Sequence, residues 1–191
     1  CFLSALIKLF GRGKMKGLSP VAMAMLLCLV LTGSAMAYAI YDDATGGDCA
    51  QIGTWDAGTK TCTLNNDISE GISIGDHQIT IDGARHEITG NGGGIGIYFS
   101  AKRQITIKNI TVKGFFIGIH HSLETSSTIE DSRIMNNVFG ISFYRVLSDV
   151  ITRNTIMNNT YGFLPQQSDY NAIFNNNFIQ NTFHTYVTEW N

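Results

Sequence analysis

Charge is scarce in this 191-residue chain, and it leans acidic. Lys and Arg number 13 against 15 Asp and Glu, a formal net charge of −2. No basic patch or stripe stands out, which argues against nucleic acid as a partner. Cysteine is as sparse, at four, too few for a disulfide-dense scaffold. No Gly-x-Gly-x-x-Gly opens a helix. The one Gly-rich stretch, Gly90-Asn-Gly-Gly-Gly94, lacks that spacing and reads as a loose turn.

One long apolar run is present, from Val21 to Leu31, preceded by Lys14 and Lys16 and followed by Gly33-Ser34-Ala35-Met36-Ala37. This order is that of a secretory signal peptide with a small-x-small cleavage site. Cleavage is expected after Ala37, with Ala39 as second choice. Met15 is the expected initiator, and residues 1–14 read as upstream sequence or a fragment end. An uncleaved membrane anchor is the alternative, because apolar character persists to about Ile40. Four basic residues and no acidic ones precede residue 38, so residues 38–191 carry 9 − 15 = −6. The expected location is extracytoplasmic: secreted, periplasmic or at the cell surface, with no membrane span in the mature chain.

What the chain has in abundance is a period. Gly96, Gly118, Gly140 and Gly162 recur at a constant interval, and one more step of the same length lands on His184. Three apolar columns keep that step: Ile107, Ile129, Ile151, Ile173; Val112, Ile134, Ile156, Phe178; and Ile97, Ile119, Ile141, Phe163. An Asn column, Asn137, Asn159 and Asn181, follows them. A fixed period of this length means a solenoid. Gaps of five between apolar anchors leave room for a short strand and a bend, not a helix. The anchors are Ile, Val and Phe, which suit strands. About three short strands per coil give a single-stranded, right-handed parallel β-helix, an all-β fold. A leucine-rich repeat would need Leu-rich spacing and a helical segment, and neither is seen.

Upstream of the exact repeat, Ile72-Ser-Ile74, Ile79-Thr-Ile81 and Ile88 fit the strand pattern, but the step from Ile81 to Ile107 is longer than the period. Cys49 and Cys62 lie earlier still. In an exported chain they are expected to form a disulfide that closes the first coil. A metal pair is the alternative, but Cys-x12-Cys without a nearby His is a poor zinc pattern. The expected organisation is an extension plus signal peptide over 1–37, an N-terminal cap over 38–64, and a β-helix over 65–191. The last coil begins at His184 and stops at Asn191, so truncation, with further domains beyond, is expected.

The rungs Gly140-Ile-Ser-Phe, Ile151-Thr-Arg-Asn154-Thr-Ile156 and Met-Asn-Asn159 resemble the pectin-lyase-like β-helix proteins, and most of all the NosD-type repeat. The resemblance covers roughly 65–191. It implies the fold, export, and either carbohydrate binding, sugar-hydrolase activity or a role in copper-site maturation. Enzymes of this fold carry motifs that can be sought here. Gly-His-Gly, Arg-x-Lys and Asp-Pro-His-Asp are absent from the repeats, and the only Asp-Asp, Asp42-Asp43, lies outside them. No lyase-type calcium cluster of Asp is visible. The chain therefore leans away from catalysis.

Binding is expected at the longest turn of each coil, read as 121–127, 143–149 and 165–171. Tyr144, Arg145, Asp149, Asp169 and Tyr170 there could present aromatic faces and charged groups to a polysaccharide or cell-surface glycan. For a metal, only Met135, Met157 and His121 offer themselves. Met135 and Met157 are one period apart, and soft sulfurs can bind Cu(I). His120 and His121 are adjacent and point to opposite sides of a strand. His121 reads as a turn-edge or semi-buried residue. No cofactor is expected. Stacked Asn137, Asn159 and Asn181 read as a hydrogen-bonded ladder. Asp131 and Arg153 or Arg133 read as a surface ion pair. Asn109-Ile-Thr111 and Asn158-Asn-Thr160 match glycosylation sequons. The resulting expectation is an exported, non-catalytic glycan-binding or structural module. A polysaccharide lyase, hydrolase or epimerase is the first alternative and a NosD-like copper accessory protein the second.

Overall fold

The computed structural model describes residues 38–123 and 126–185. The expected signal peptide and the last six residues lie outside them. The described chain winds into coils whose strands line up in three sheets. Sheet A stacks β1 (Tyr38–Ile40), β4 (Ile72–Ile74), β7 (Ile95–Ser100), β10 (Ile117–Ser122), β13 (Phe139–Tyr144), β16 (Tyr161–Gln166) and β19 (Phe183–Thr185). Sheet B stacks β2 (Gly53–Asp56), β3 (Thr61–Leu64), β5 (Thr80–Asp82), β8 (Thr106–Lys108), β11 (Thr128–Glu130), β14 (Val150–Thr152) and β17 (Ala172–Phe174). Sheet C stacks β6 (Glu87–Thr89), β9 (Thr111–Lys113), β12 (Arg133–Met135), β15 (Thr155–Met157) and β18 (Asn177–Ile179). It is an all-β, right-handed parallel solenoid with one period of the sequence to each regular coil.

The register follows the sequence columns. Ile129 pairs with Ile107 and Ile151, Ile134 with Val112 and Ile156, and Ile119 with Ile97 and Ile141. Ile81 pairs with Ile107, so the longer step between them is absorbed in the turns and not in the sheet. Each inward Ile is stacked on the next, and Ile81, Ile107, Ile119, Ile134 and Ile156 are fully buried. Each such side chain stabilises the fold by about 2 kcal/mol. The Gly column has a separate reason. A Cβ on Gly118 would lie 2.6 Å from the Gly140 carbonyl and 2.9 Å from Asn137 Nδ2, so the next coil approaches too closely for any side chain.

At the N-terminal end, the four-residue helix α1 (Cys49–Ile52) leads into β2, which pairs antiparallel with β3. The Cys49–Cys62 disulfide joins α1 to β3 across a Cα–Cα distance of 5.8 Å. Among the described pairings β2–β3 is the only antiparallel one, and it ends sheet B.

Corners are where the sequence reading needs revision. The segments read as the longest turn are partly strand: His121 and Ser122 end β10, Phe143 and Tyr144 end β13, and Pro165 and Gln166 end β16. The turn proper begins at Leu123, Arg145 and Gln167. Each of these has φ between 49° and 61°. At the next bend Ser126, Ser148 and Tyr170 are also left-handed, with φ of 66°, 61° and 56°. The B–C corner has Asn109, Asp131, Arg153 and Asn175 in this conformation, and the C–A corner has Gly114, Asn136, Asn158 and Gln180. From β8 onward one positive-φ residue marks each of these bends, a conformation that turns the chain sharply within a single residue.

After most of these bends comes an inward polar side chain that caps the coil before it. Asn137 Oδ1 accepts the Phe115 N–H, Asn159 Oδ1 the Asn137 N–H, and Asn181 Oδ1 the Asn159 N–H, all at 2.9 Å. The expected Asn ladder is therefore present. Two more run beside it. Ser132, Asn154 and Asn176 accept from Ile110, Ser132 and Asn154. Ser127, Asp149 and Asn171 accept from Ile105, Ser127 and Asp149. Buried backbone N–H groups at a corner have no sheet partner, so these side chains satisfy them.

Candidate functional site

Between sheets A and B each coil makes two bends in quick succession, and the resulting strip runs along the solenoid axis. Four of the five candidate glycan contacts lie on it or at its border. Tyr144 is half-buried, while Arg145 and Asp169 are exposed and Tyr170 is 89% exposed. Arg145 lies over the Tyr144 ring, 5.3 Å from its centroid, and its Nε donates to Gln167 Oε1 at 3.0 Å. Asp169 sits opposite Leu147, to which it is bridged through the backbone. Leu123 and Leu147 are 49% and 40% exposed, so apolar surface alternates here with amides and hydroxyls. An amphipathic strip of this kind can offer flat apolar contact and hydrogen bonds together.

Asp149 does not belong to the strip. It is 1% exposed and points inward, because the left-handed Ser148 before it turns the chain. Its Oδ1 accepts the Ser127 N–H, and its Oδ2 lies 2.8 Å from His121 Nδ1. The two are at ion-pair distance without the alignment of a hydrogen bond. His121 is likewise not a turn-edge residue. It is fully buried, stacked on Phe99 at 4.1 Å and edge-on to Phe143. At each Asn ladder position the Asn Nδ2 donates to the carbonyl 25 residues back, as Asn171 does to Val146 and Asn154 to Ile129. Asp149 has no such donor, and His121 fills the gap. Sequence reasoning missed this pair. The signal that reaches it is a step of five: Ser127, Ser132, Asn137, then Asp149, Asn154, Asn159, then Asn171, Asn176, Asn181.

His120, on the other side of β10, is 2% exposed and lies 3.3 Å from Ser142 Oγ. Burial, with the neighbouring His121 adding to it, pushes its pKa down to about 4. On sheet B the expected ion pair is present. Arg153 binds Asp131 through Nε and Nη2, at 2.8 and 2.7 Å, and Glu130 at 2.6 Å. Arg153, through these hydrogen bonds, holds the Asp131 carboxyl below its ordinary value.

A family model for "Periplasmic copper-binding protein (NosD)" matches residues 36–191. The chain belongs to the NosD family. No curated protein and no solved structure matches it. The NosD solenoid is extracytoplasmic, in keeping with a disulfide that needs an oxidising compartment. Among the described residues no helix is long and apolar enough to cross a membrane.

The family description names copper, so the donors of this NosD chain must be weighed. Met135 and Met157 do pair in register across β12 and β15. The Arg133 guanidinium, however, lies 3.8 Å from Met157 Sδ, and a fixed cation there repels a metal ion. Cys49 and Cys62 are oxidised. His121 is enclosed by two aromatic rings and Asp149, and His77 Nδ1 accepts the Arg103 N–H at 3.0 Å. His86 is paired with Asp67 at 3.0 Å. No three His, Cys, Asp or Glu converge among the described residues. The described residues do not fit a copper ion.

Proposed function

We propose that this NosD-family solenoid is a non-catalytic binding module for polysaccharide or cell-envelope glycan, and that the strip between sheets A and B carries the contact. The observation behind this reading is the convergence of Tyr144, Arg145, Asp169 and Tyr170 on adjacent coils, interleaved with Leu123 and Leu147. Aromatic and aliphatic faces suit the C–H surfaces of a sugar ring, and the amide, guanidinium and carboxylate groups suit its hydroxyls. Glycoside hydrolysis needs two carboxylates flanking one bond. Burial of Asp149 removes it as a partner for Asp169 across a sugar bond, which weighs against the hydrolase alternative.

The test is retention of the purified, oxidised protein on a panel of polysaccharides, with and without calcium, while new reducing and unsaturated ends are assayed. Retention without cleavage is the expected result. Tyr170→Ala should weaken it about tenfold, the size of a lost stacking contact. Release of new ends would overturn the non-catalytic reading.

A further inference from the structure

The bends of this solenoid differ in what they hold in the left-handed region. At the B–C corner those positions are Asn109, Asp131 and Asn175, and at the C–A corner Gly114, Asn136 and Asn158. Asn, Asp and Gly are the residues that tolerate this conformation. Ala84, Arg85, Arg153 and Gln180 are the exceptions, and Arg153 is held by Asp131 and Glu130. From Gln78 onward the strip between sheets A and B holds no Asn, Asp or Gly at its left-handed bends. One bend has Ala101, Leu123, Arg145 and Gln167. The other has Gln78, Gln104, Ser126, Ser148 and Tyr170, with Lys60 just before the first of them. A left-handed L residue costs about 1–2 kcal/mol. From Gln78 onward that strain recurs on every coil along the A–B strip, while it is occasional at the B–C corner and met only at Gln180 at the C–A corner. Recurrent strain of this kind marks side chains kept for what they contact.

The second bend is also a continuous row. Gln78, Gln104, Ser126, Ser148 and Tyr170 are all exposed and stand one coil apart. Coils stack at roughly 4.8 Å, the spacing of paired strands, which is close to the length of one pyranose unit in an extended glycan. Lys60 Nζ donates to Gln78 Oε1 at 3.3 Å, and Gln78 Nε2 to Gln104 Oε1 at 3.1 Å. The row is thus a chain of amides and hydroxyls ending in an aromatic ring. Of the cations near it, Lys60 is engaged by Asp42 at 2.6 Å and Arg145 by Gln167.

We infer that this row is a track on which an extended, uncharged glycan lies parallel to the solenoid axis, one sugar unit to each of five coils. The inference rests on the glycan-binding reading and adds the ligand's direction, charge class and unit count. Backbones fixed in the left-handed region hold the side chains in place before binding, so little ordering remains to oppose it.

The full chain, with its disulfide intact, is titrated with cello-oligosaccharides and N-acetylchito-oligosaccharides of graded length, and with oligogalacturonates as the charged arm. The Kd for at least one neutral series should fall about threefold per unit, the effect of one net hydrogen bond, and level off at about five units. Gln78→Gly, Gln104→Gly and Tyr170→Gly should each weaken the longest ligand at least threefold. Each should also raise the melting temperature, because glycine relieves the strained bend. Length-independent binding, a preference for the charged series, or Gly variants that bind as well as the parent would overturn the track and leave glycan binding standing. Retention of no polysaccharide in the wider panel would sink both. Gly variants that melt no higher would overturn the strain argument.

Discussion

At the residue scale, His121 and Asp149 are the anomaly of an otherwise apolar interior. The column of His121 is Phe99 and Phe143, and that of Asp149 is Ser127 and Asn171. Removing one partner of a buried pair leaves the other stranded, whereas removing both leaves the ladder types its neighbours already use. His121→Phe should therefore lower stability by about 3 kcal/mol. Adding Asp149→Asn should return it to within about 1 kcal/mol of the parent. Chemical denaturation of the four proteins of this cycle measures it, and a double variant as unstable as the single would refute the coupling. His120 yields a pH prediction. Its folded pKa of about 4 lies below the ordinary 6.5, so between those values the unfolded chain takes up a proton that the folded chain refuses. Stability should be fully present above pH 6.5 and fall as pH drops toward 4, by about 3 kcal/mol from this group. His120→Leu, matching Leu164 two coils on, should flatten that part of the slope.

At the scale of the elements, the strands contribute apolar stacking and the corners contribute polar closure. Asn159 carries the clearest case. It accepts the Asn137 N–H at 2.9 Å and donates to the Ile134 carbonyl at 3.0 Å, and it is 2% exposed. Asn159→Ala strands both groups and should cost about 2–5 kcal/mol. Asn159→Ser keeps the acceptor, as Ser127 and Ser132 do in their ladders, and should lose about half as much. Equal losses in thermal unfolding would mean the cost is a cavity and not a lost cap. The strands were legible because inward Ile recurs once per period on three columns. Only one of the three ladders was legible, because Asn137, Asn159 and Asn181 repeat one residue type. The columns Ser127, Asp149, Asn171 and Ser132, Asn154, Asn176 mix types that share a single function, accepting a backbone N–H.

At the scale of the whole molecule, each coil contacts only its neighbours, so stability is close to a sum of coil terms and interfaces. The ends of the described solenoid are unlike. The first is tied by a disulfide and an antiparallel hairpin. In the last described coil Ile173, Phe174, Ile179 and Phe183 are 37–48% exposed. Amide hydrogen exchange should be fastest in β17, β18 and β19 and slowest in β8 through β15. Uniform protection along the axis would contradict nearest-neighbour coupling.

The sequence by itself determined the period, the three-strand coil, the pairing register and the disulfide, because stacked coils require like residues at fixed intervals. The tertiary structure alone decided which way each turn residue points. Asp149 and Asp169 lie in comparable turn sequences, yet one is sealed inside and the other stands in solvent. The deciding quantity is the sign of φ at the residue before the ladder position. The period places Asp149 and Asp169 in different columns but does not say which column faces inward, which is set by how the closed coil must bend to meet itself.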